Sequence, residues 1–129
     1  MPRSLVVASA WLFGLFMIAL TVYVSTDNRF GLMNQVRRVP GGDKTGHFFL
    51  MGMLAFLVTL ATARPGLTRI GSHVARWGTL VAIVIAAEEY SQRYFPTRTF
   101  SMLDMAASLG GILVFSLLSF LVLRARQRA

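Results

Sequence analysis

Three short polar constellations stand out in a chain that is otherwise apolar. The first is Asp43-Lys44-x-x-His47, whose acid and imidazole are four residues apart and would share one side of a helix. The second is Glu89-x-x-Gln92, three apart and again on one side. The third runs from Arg98 through Asp104 to Ser108, the last two four apart, with Gly111 in line behind them. His47 could act as a general acid or base if a carboxylate oriented it, with Arg98 stabilising charge on a phosphoryl group. On that reading the candidate catalytic residues are His47, Glu89 and Asp104. Asp43, His47, Glu89 and Asp104 also form an oxygen-rich set with one imidazole, which suits Mg, Mn or Zn. Lys44 and Arg98 could meet a phosphate, Lys as a point charge and Arg as a planar fork. As a ligand-binding set the candidates are Asp43, Lys44, His47, Glu89, Gln92, Arg98, Asp104 and Ser108.

Each of these residues has a plainer structural reading. Asp43 and Asp104 could cap helix N-termini, where negative charge is favoured. Arg98 could neutralise Glu89 or Asp104 as an ion pair. A lone His near a helix start is more often a hydrogen-bonded structural residue than a ligand. Glu88 points about 100° away from Glu89 around a helix and reads as the lesser of the two, paired with Arg93. His73, with no acid nearby, reads as a solvated loop residue.

The elements that must position these groups are set by composition. Of 129 residues, 55% are hydrophobic and 14% charged, against about 25% charged in an average soluble domain. Thirteen Lys/Arg and five Asp/Glu could not solvate so much apolar surface, and mean hydropathy is +0.61. A disordered basic tail and most small soluble enzymes are excluded. The net charge of +8 would suggest nucleic acid in a soluble protein. Here the cations flank long apolar runs, the ordinary juxtamembrane pattern, so no nucleic-acid partner is expected. With no cysteine, disulfides, thiol nucleophiles and Cys-ligated zinc are also excluded.

Four apolar passes are predicted, over about 4–26, 45–63, 77–95 and 104–123. A helix rises 1.5 Å per residue, so about 20 residues cross a hydrocarbon core of ~30 Å. The first run exceeds the length of a signal-peptide core and lacks a clear Ala-x-Ala cleavage site, so it reads as an uncleaved span. Arg64-Pro65-Gly66 ends the second. The third is apolar from Trp77 to Ala87 and reaches a full span only if helix continues through Phe95. The expected fold is all-α, a single integral membrane domain over 1–129 built as a bundle of four transmembrane helices. A short interfacial helix around Phe30–Val39 is expected in the first loop, and the tight loop from Pro96 to Ser101 makes the last two helices an antiparallel hairpin. Ala107 with Gly110-Gly111 offers a small face for close helix approach. The Met and Phe residues read as filler for lipid and helix contacts.

Such a topology gathers the starts of the second and fourth helices and the end of the third on one membrane face. Ionisable groups within spans are costly and normally face a protein interior or a wet cavity. The other face would hold Arg3, Arg64, Arg69, Arg76, Arg124, Arg126 and Arg128, seven cations and no acid. The polar face would hold Arg29, Arg37, Arg38, Lys44, Arg93 and Arg98, six cations, together with all five acids. The arginines beside the span ends favour both termini inside.

The pattern Asp43-Lys44-x-x-His47-Phe48, followed by Glu89-x-x-Gln92-x-x-x-Pro96-x-Arg98-x-x-Ser101-x-x-Asp104-x-x-x-Ser108-x-x-Gly111, resembles the VanZ-like family of small membrane proteins. The likeness covers the chain from about Asp43 to Gly111. One departure is Ser108, where the family often has Asn, a hydroxyl in place of a carboxamide. The resemblance implies a multi-pass protein of the bacterial inner membrane and cell envelope. The family is named for an accessory of glycopeptide-antibiotic resistance associated with reduced sensitivity to teicoplanin. Some members carry a phosphotransbutyrylase label, but no phosphate-cradling Gly-rich loop is present for such a substrate, Gly41-Gly42 alone being too weak.

Three functions are therefore in view. The first is recognition of an anionic lipid or lipid-linked cell-wall precursor at the outer membrane face. The second is a membrane-embedded enzyme acting on a phosphorylated lipid through His47, Arg98 and the carboxylates. The third is a structural accessory subunit whose polar cluster only fixes helix register. No cofactor is required by the sequence, although a divalent metal at Asp43, His47, Glu89 and Asp104 belongs to the enzyme reading. The lipid bilayer is the expected partner, and a homo-oligomer could supply further polar groups. A transporter lacks its usual broken-helix repeat.

Overall fold

The structure is a computed structural model, and it describes residues 2–26, 41–94 and 101–129, with the backbone alone for 24–26. Among the described residues it is all-α, with four long helices, each long and apolar enough to cross a membrane. They are α1 (Arg3–Thr26), α2 (Gly42–Thr62), α3 (Ile70–Ser91) and α4 (Met102–Arg128). A single 3-10 turn, Gln92–Tyr94, extends α3. At 1.5 Å per residue, the 21 residues of α2 span about 31 Å, which matches the hydrocarbon thickness. The expected interfacial helix around Phe30–Val39 and the loop arginine Arg98 lie outside the described residues.

The helix ends follow from local chemistry. Gly41 is the N-cap of α2, at φ 71°, a left-handed conformation that favours glycine. Asp43 is therefore not the cap; it sits in the first turn, where its charge still meets the positive end of the helix dipole. α2 stops at Thr62 because Pro65 disfavours helical geometry at Arg64, and Gly66 at φ 76° then turns the chain. Ser101 caps α4, its Oγ accepting from the Asp104 backbone N–H at 3.4 Å. Asp104 is thus also a first-turn residue and not a cap.

α3 begins seven residues earlier than the apolar run from Trp77 suggested, at Ile70. The reason is a continuous buried stripe, Ile70, Val74, Gly78, Val81, Ile85 and Glu89, at helical spacing. Arg69, Ser72 and Arg76 mask that stripe in the sequence by occupying the exposed sides of the same turns. His73 is corrected with it. Rather than sitting solvated in a loop, it lies half-buried in α3, with Nε2 3.0 Å from the Thr59 carbonyl and 3.4 Å from Thr62 Oγ1.

α2 is the central element and touches all three other helices, while α1 packs chiefly on α2. The closest approach is between α2 and α4. A Cβ on Gly111 would fall on the Phe48 carbonyl, and one on Gly52 would strike the Phe115 ring. The Phe115 ring then sits among Phe48, Phe49 and Phe56 at centroid distances of 6.4, 6.2 and 6.4 Å, all edge-on. On the other side of α4, Gly78 of α3 admits Ser116, whose Oγ would lie 2.8 Å from an added Cβ. Two apolar cores result. Met17, Met51, Ala55, Val81, Ile85 and Ile112 fill the middle, and Val6, Leu60, Ile70, Val74 and Leu123 fill the end that carries both termini.

The outward faces are as apolar as the cores. Trp11 is 72% exposed, Leu12 69% and Ile83 60%, surface that a bilayer covers at low cost. The chain is a multi-pass membrane protein.

Candidate functional site

The tight α2–α4 crossing fixes the rotation of both helices, so the residues one turn beyond it on the Gly41 side are forced to face each other. Ser108, one turn before Gly111, meets His47, one residue before Phe48. Ser108 Oγ and His47 Nδ1 are 3.3 Å apart, and Ser108 is fully buried. From α3, the buried Glu89 brings Oε2 to 4.0 Å from the same ring nitrogen. The imidazole is thus held on its Nδ1 side by a hydroxyl and a carboxylate. Its other nitrogen, Nε2, faces Asp43 Oδ1 at 3.7 Å, one helical turn back on α2.

Asp104 closes the group from α4. It is 8% exposed, and its Oδ1 is enclosed with no hydrogen-bond partner among the described residues. The Lys44 ammonium faces it, with Nζ 3.9 Å away on a half-exposed side chain. One ligand atom from each of Asp43, His47 and Asp104 falls within 4.8 Å of the others. Ligand atoms on one ion lie closer together than that, so modest side-chain rotation would be needed to seat one. These three donors nevertheless fit a divalent cation chemically. There are two carboxylates and one imidazole, with the second ring nitrogen braced by hydrogen-bonding groups, as metal-bound histidines usually are.

Gln92 supports the floor of the cluster. Its Nε2 donates to Glu89 Oε2 at 3.1 Å and to Glu88 Oε2 at 3.2 Å. Glu88 therefore has a larger part than its angular position suggested, joined to Glu89 through one amide. Gln92 can reach both because the chain tightens into the 3-10 turn immediately after α3. Of the eight residues proposed as ligand-binding from the sequence, Asp43, Lys44, His47, Glu89, Gln92, Asp104 and Ser108 come together. Arg98 is outside the described residues.

Burying ionised carboxylates costs several kcal/mol each unless cations or donors compensate them. α3 and α4 nonetheless spend buried positions on Glu89 and Asp104, and α2 a partly exposed one on Asp43, at one end of an apolar bundle. No protein-family profile, curated protein sequence or solved structure matches this chain. The functional reading therefore rests on the site's own chemistry.

Proposed function

We propose that this end of the bundle recognises the phosphate of an anionic lipid or lipid-linked cell-wall precursor, through a divalent cation held by Asp43, His47 and Asp104. The observation that carries the proposal is the convergence of those three donors from α2 and α4 around an enclosed carboxylate oxygen of Asp104. Bare carboxylates would repel a phosphate. With Asp43, Glu89 and Asp104 ionised and Lys44 as the described counter-ion, the cluster carries −2. A divalent ion cancels that charge, and a three-donor site leaves coordination positions for phosphate oxygens. Lys44, half exposed at the mouth, would then supply a second contact.

The likeness to VanZ-like proteins supports placing this chain in the bacterial inner membrane as a cell-envelope component. The arginine-rich end that carries both termini would face the cytoplasm and the polar cluster the outer face. A second reading, a membrane-embedded enzyme on a phosphorylated lipid, draws on the His47 ring. With Nδ1 braced by Ser108 and Glu89, Nε2 is oriented for proton transfer at the cluster.

Native mass spectrometry of the chain extracted in mild detergent tests the binding reading. The expected result is a co-purifying polyprenyl-phosphate or anionic phospholipid, with one molecule fewer per chain in Asp43→Asn and Asp104→Asn than in wild type. An unchanged lipid count in both variants, each melting as wild type does, would overturn it. Conversion of that lipid on incubation, abolished by His47→Ala, would favour the enzyme.

A further inference from the structure

The end of the bundle opposite the polar cluster carries a second built feature. A cavity of about 460 Å³ opens between the start of α1, the turn after α2, the start of α3 and the end of α4. Val6, Leu60 and Leu123, all buried, form part of its apolar wall. Arg3, Arg64 and Arg126 stand at it, all exposed, from three regions far apart in the chain. No acid lines it, and none of the three arginines makes an ion pair with a described residue. The Gln127 side chain donates to the Leu67 carbonyl, which ties the end of α4 to the turn after α2 and holds the cavity's two walls together.

Three guanidinium groups at one cavity, with no acid among its lining residues, repel one another, and side-chain entropy favours their dispersal. An anion that can accept several N–H donors at once relieves that repulsion, and phosphate oxygens match the guanidinium fork. The apolar wall adds a requirement that a free anion does not meet. It lies at the end of a bundle of helices long and apolar enough to span a membrane, and is contiguous with the core of Val6, Leu60, Ile70, Val74 and Leu123. The size is that of a ligand pocket and not of a packing defect. We propose that this cavity seats the phosphodiester headgroup of an anionic phospholipid, with Arg3, Arg64 and Arg126 on the phosphate and the glycerol and first acyl carbons against Val6, Leu60 and Leu123. This is a site separate from the polar cluster and does not depend on what that cluster binds.

General attraction of a basic end to anionic lipid is the competing explanation, and the chain supplies its own control. Arg69 and Arg76 belong to the same end but do not line the cavity. The double variants Arg64→Gln/Arg126→Gln and Arg69→Gln/Arg76→Gln remove the same charge. Full-length protein in mild detergent is titrated with phosphatidylglycerol or phosphatidylcholine, and bound lipid is counted by native mass spectrometry. Wild type is expected to prefer phosphatidylglycerol, with affinity falling roughly tenfold or more in the cavity pair and less than about twofold in the control pair. Equal loss in both pairs, or no headgroup preference in wild type, would overturn the proposal. Displacement of the lipid by millimolar inorganic phosphate would also overturn it, in favour of a soluble anion. Asp104→Asn is expected to leave this binding unchanged, so failure at one end is distinguishable from failure at the other.

Discussion

Lys44 and a bound cation would compete for the same oxygen of Asp104. The ammonium lies 3.9 Å from Oδ1, yet the side chain is 48% exposed and free to swing outward. Two unit charges at about 4 Å repel by up to ~4 kcal/mol at an effective dielectric near 20, and exposure lowers that substantially. Lys44→Met is therefore expected to tighten divalent-cation binding by roughly five- to tenfold, measured by calorimetry on detergent-solubilised protein. If Lys44 were simply the structural counter-ion of Asp104, the variant would lower the melting temperature with no gain in cation affinity. At this scale the sequence was legible where the contacts are local. The pairs Asp43/His47 and Glu89/Gln92 follow from helical spacing, and both meet in space. The contact of Ser108 with His47 spans 61 residues and no local rule supplies it. The alternative that Asp43 caps α2 gives way to Gly41, which takes the left-handed conformation that the start of α2 uses at less cost than an acid would.

Among the elements, the α2–α4 crossing determines whether the cluster exists at all. Gly111→Ala would drive a methyl group into the Phe48 carbonyl, so the helices must separate and Ser108 must withdraw from His47. A loss of about 1–3 kcal/mol is expected, read as a lower melting temperature in detergent. Gly110→Ala is the control, since its Cβ would lie 3.8 Å from the Phe48 ring, an ordinary contact. Equal melting of the two variants would mean that the crossing is looser than described. The sequence placed small residues at 107, 110 and 111, but which of them faces α2 depends on helix rotation, which composition does not encode. Gly52, the matching small residue on α2, was hidden inside an apolar run. The early start of α3 was hidden differently, since charged residues on the exposed sides of its first two turns broke the hydropathy while the buried stripe continued through Ile70 and Val74.

Taken as a whole molecule, the chain separates its scarce charges by end. Among the described residues, seven arginines and no acid belong to the end that carries the termini, and Asp43, Glu88, Glu89 and Asp104 gather at the other. Under the positive-inside rule both termini are expected in the cytoplasm. A reporter enzyme active only outside the cytoplasm, fused after Arg128, should then be silent, and full activity would invert the orientation. The four-helix architecture was readable from hydropathy because each span is an autonomous, lipid-solvated unit. The depth of each polar group within the bundle was not, because it depends on packing between spans. The divalent cation proposed at the polar end is read directly from metal content. Protein purified without chelators, then equilibrated with Mn²⁺ or Zn²⁺ and desalted, should retain one ion per chain by elemental analysis. His47→Ala and Asp104→Asn should lose it while keeping wild-type helicity. Folded wild-type protein that retains neither ion, or variants that retain as much as wild type, would rule out a cation held by Asp43, His47 and Asp104.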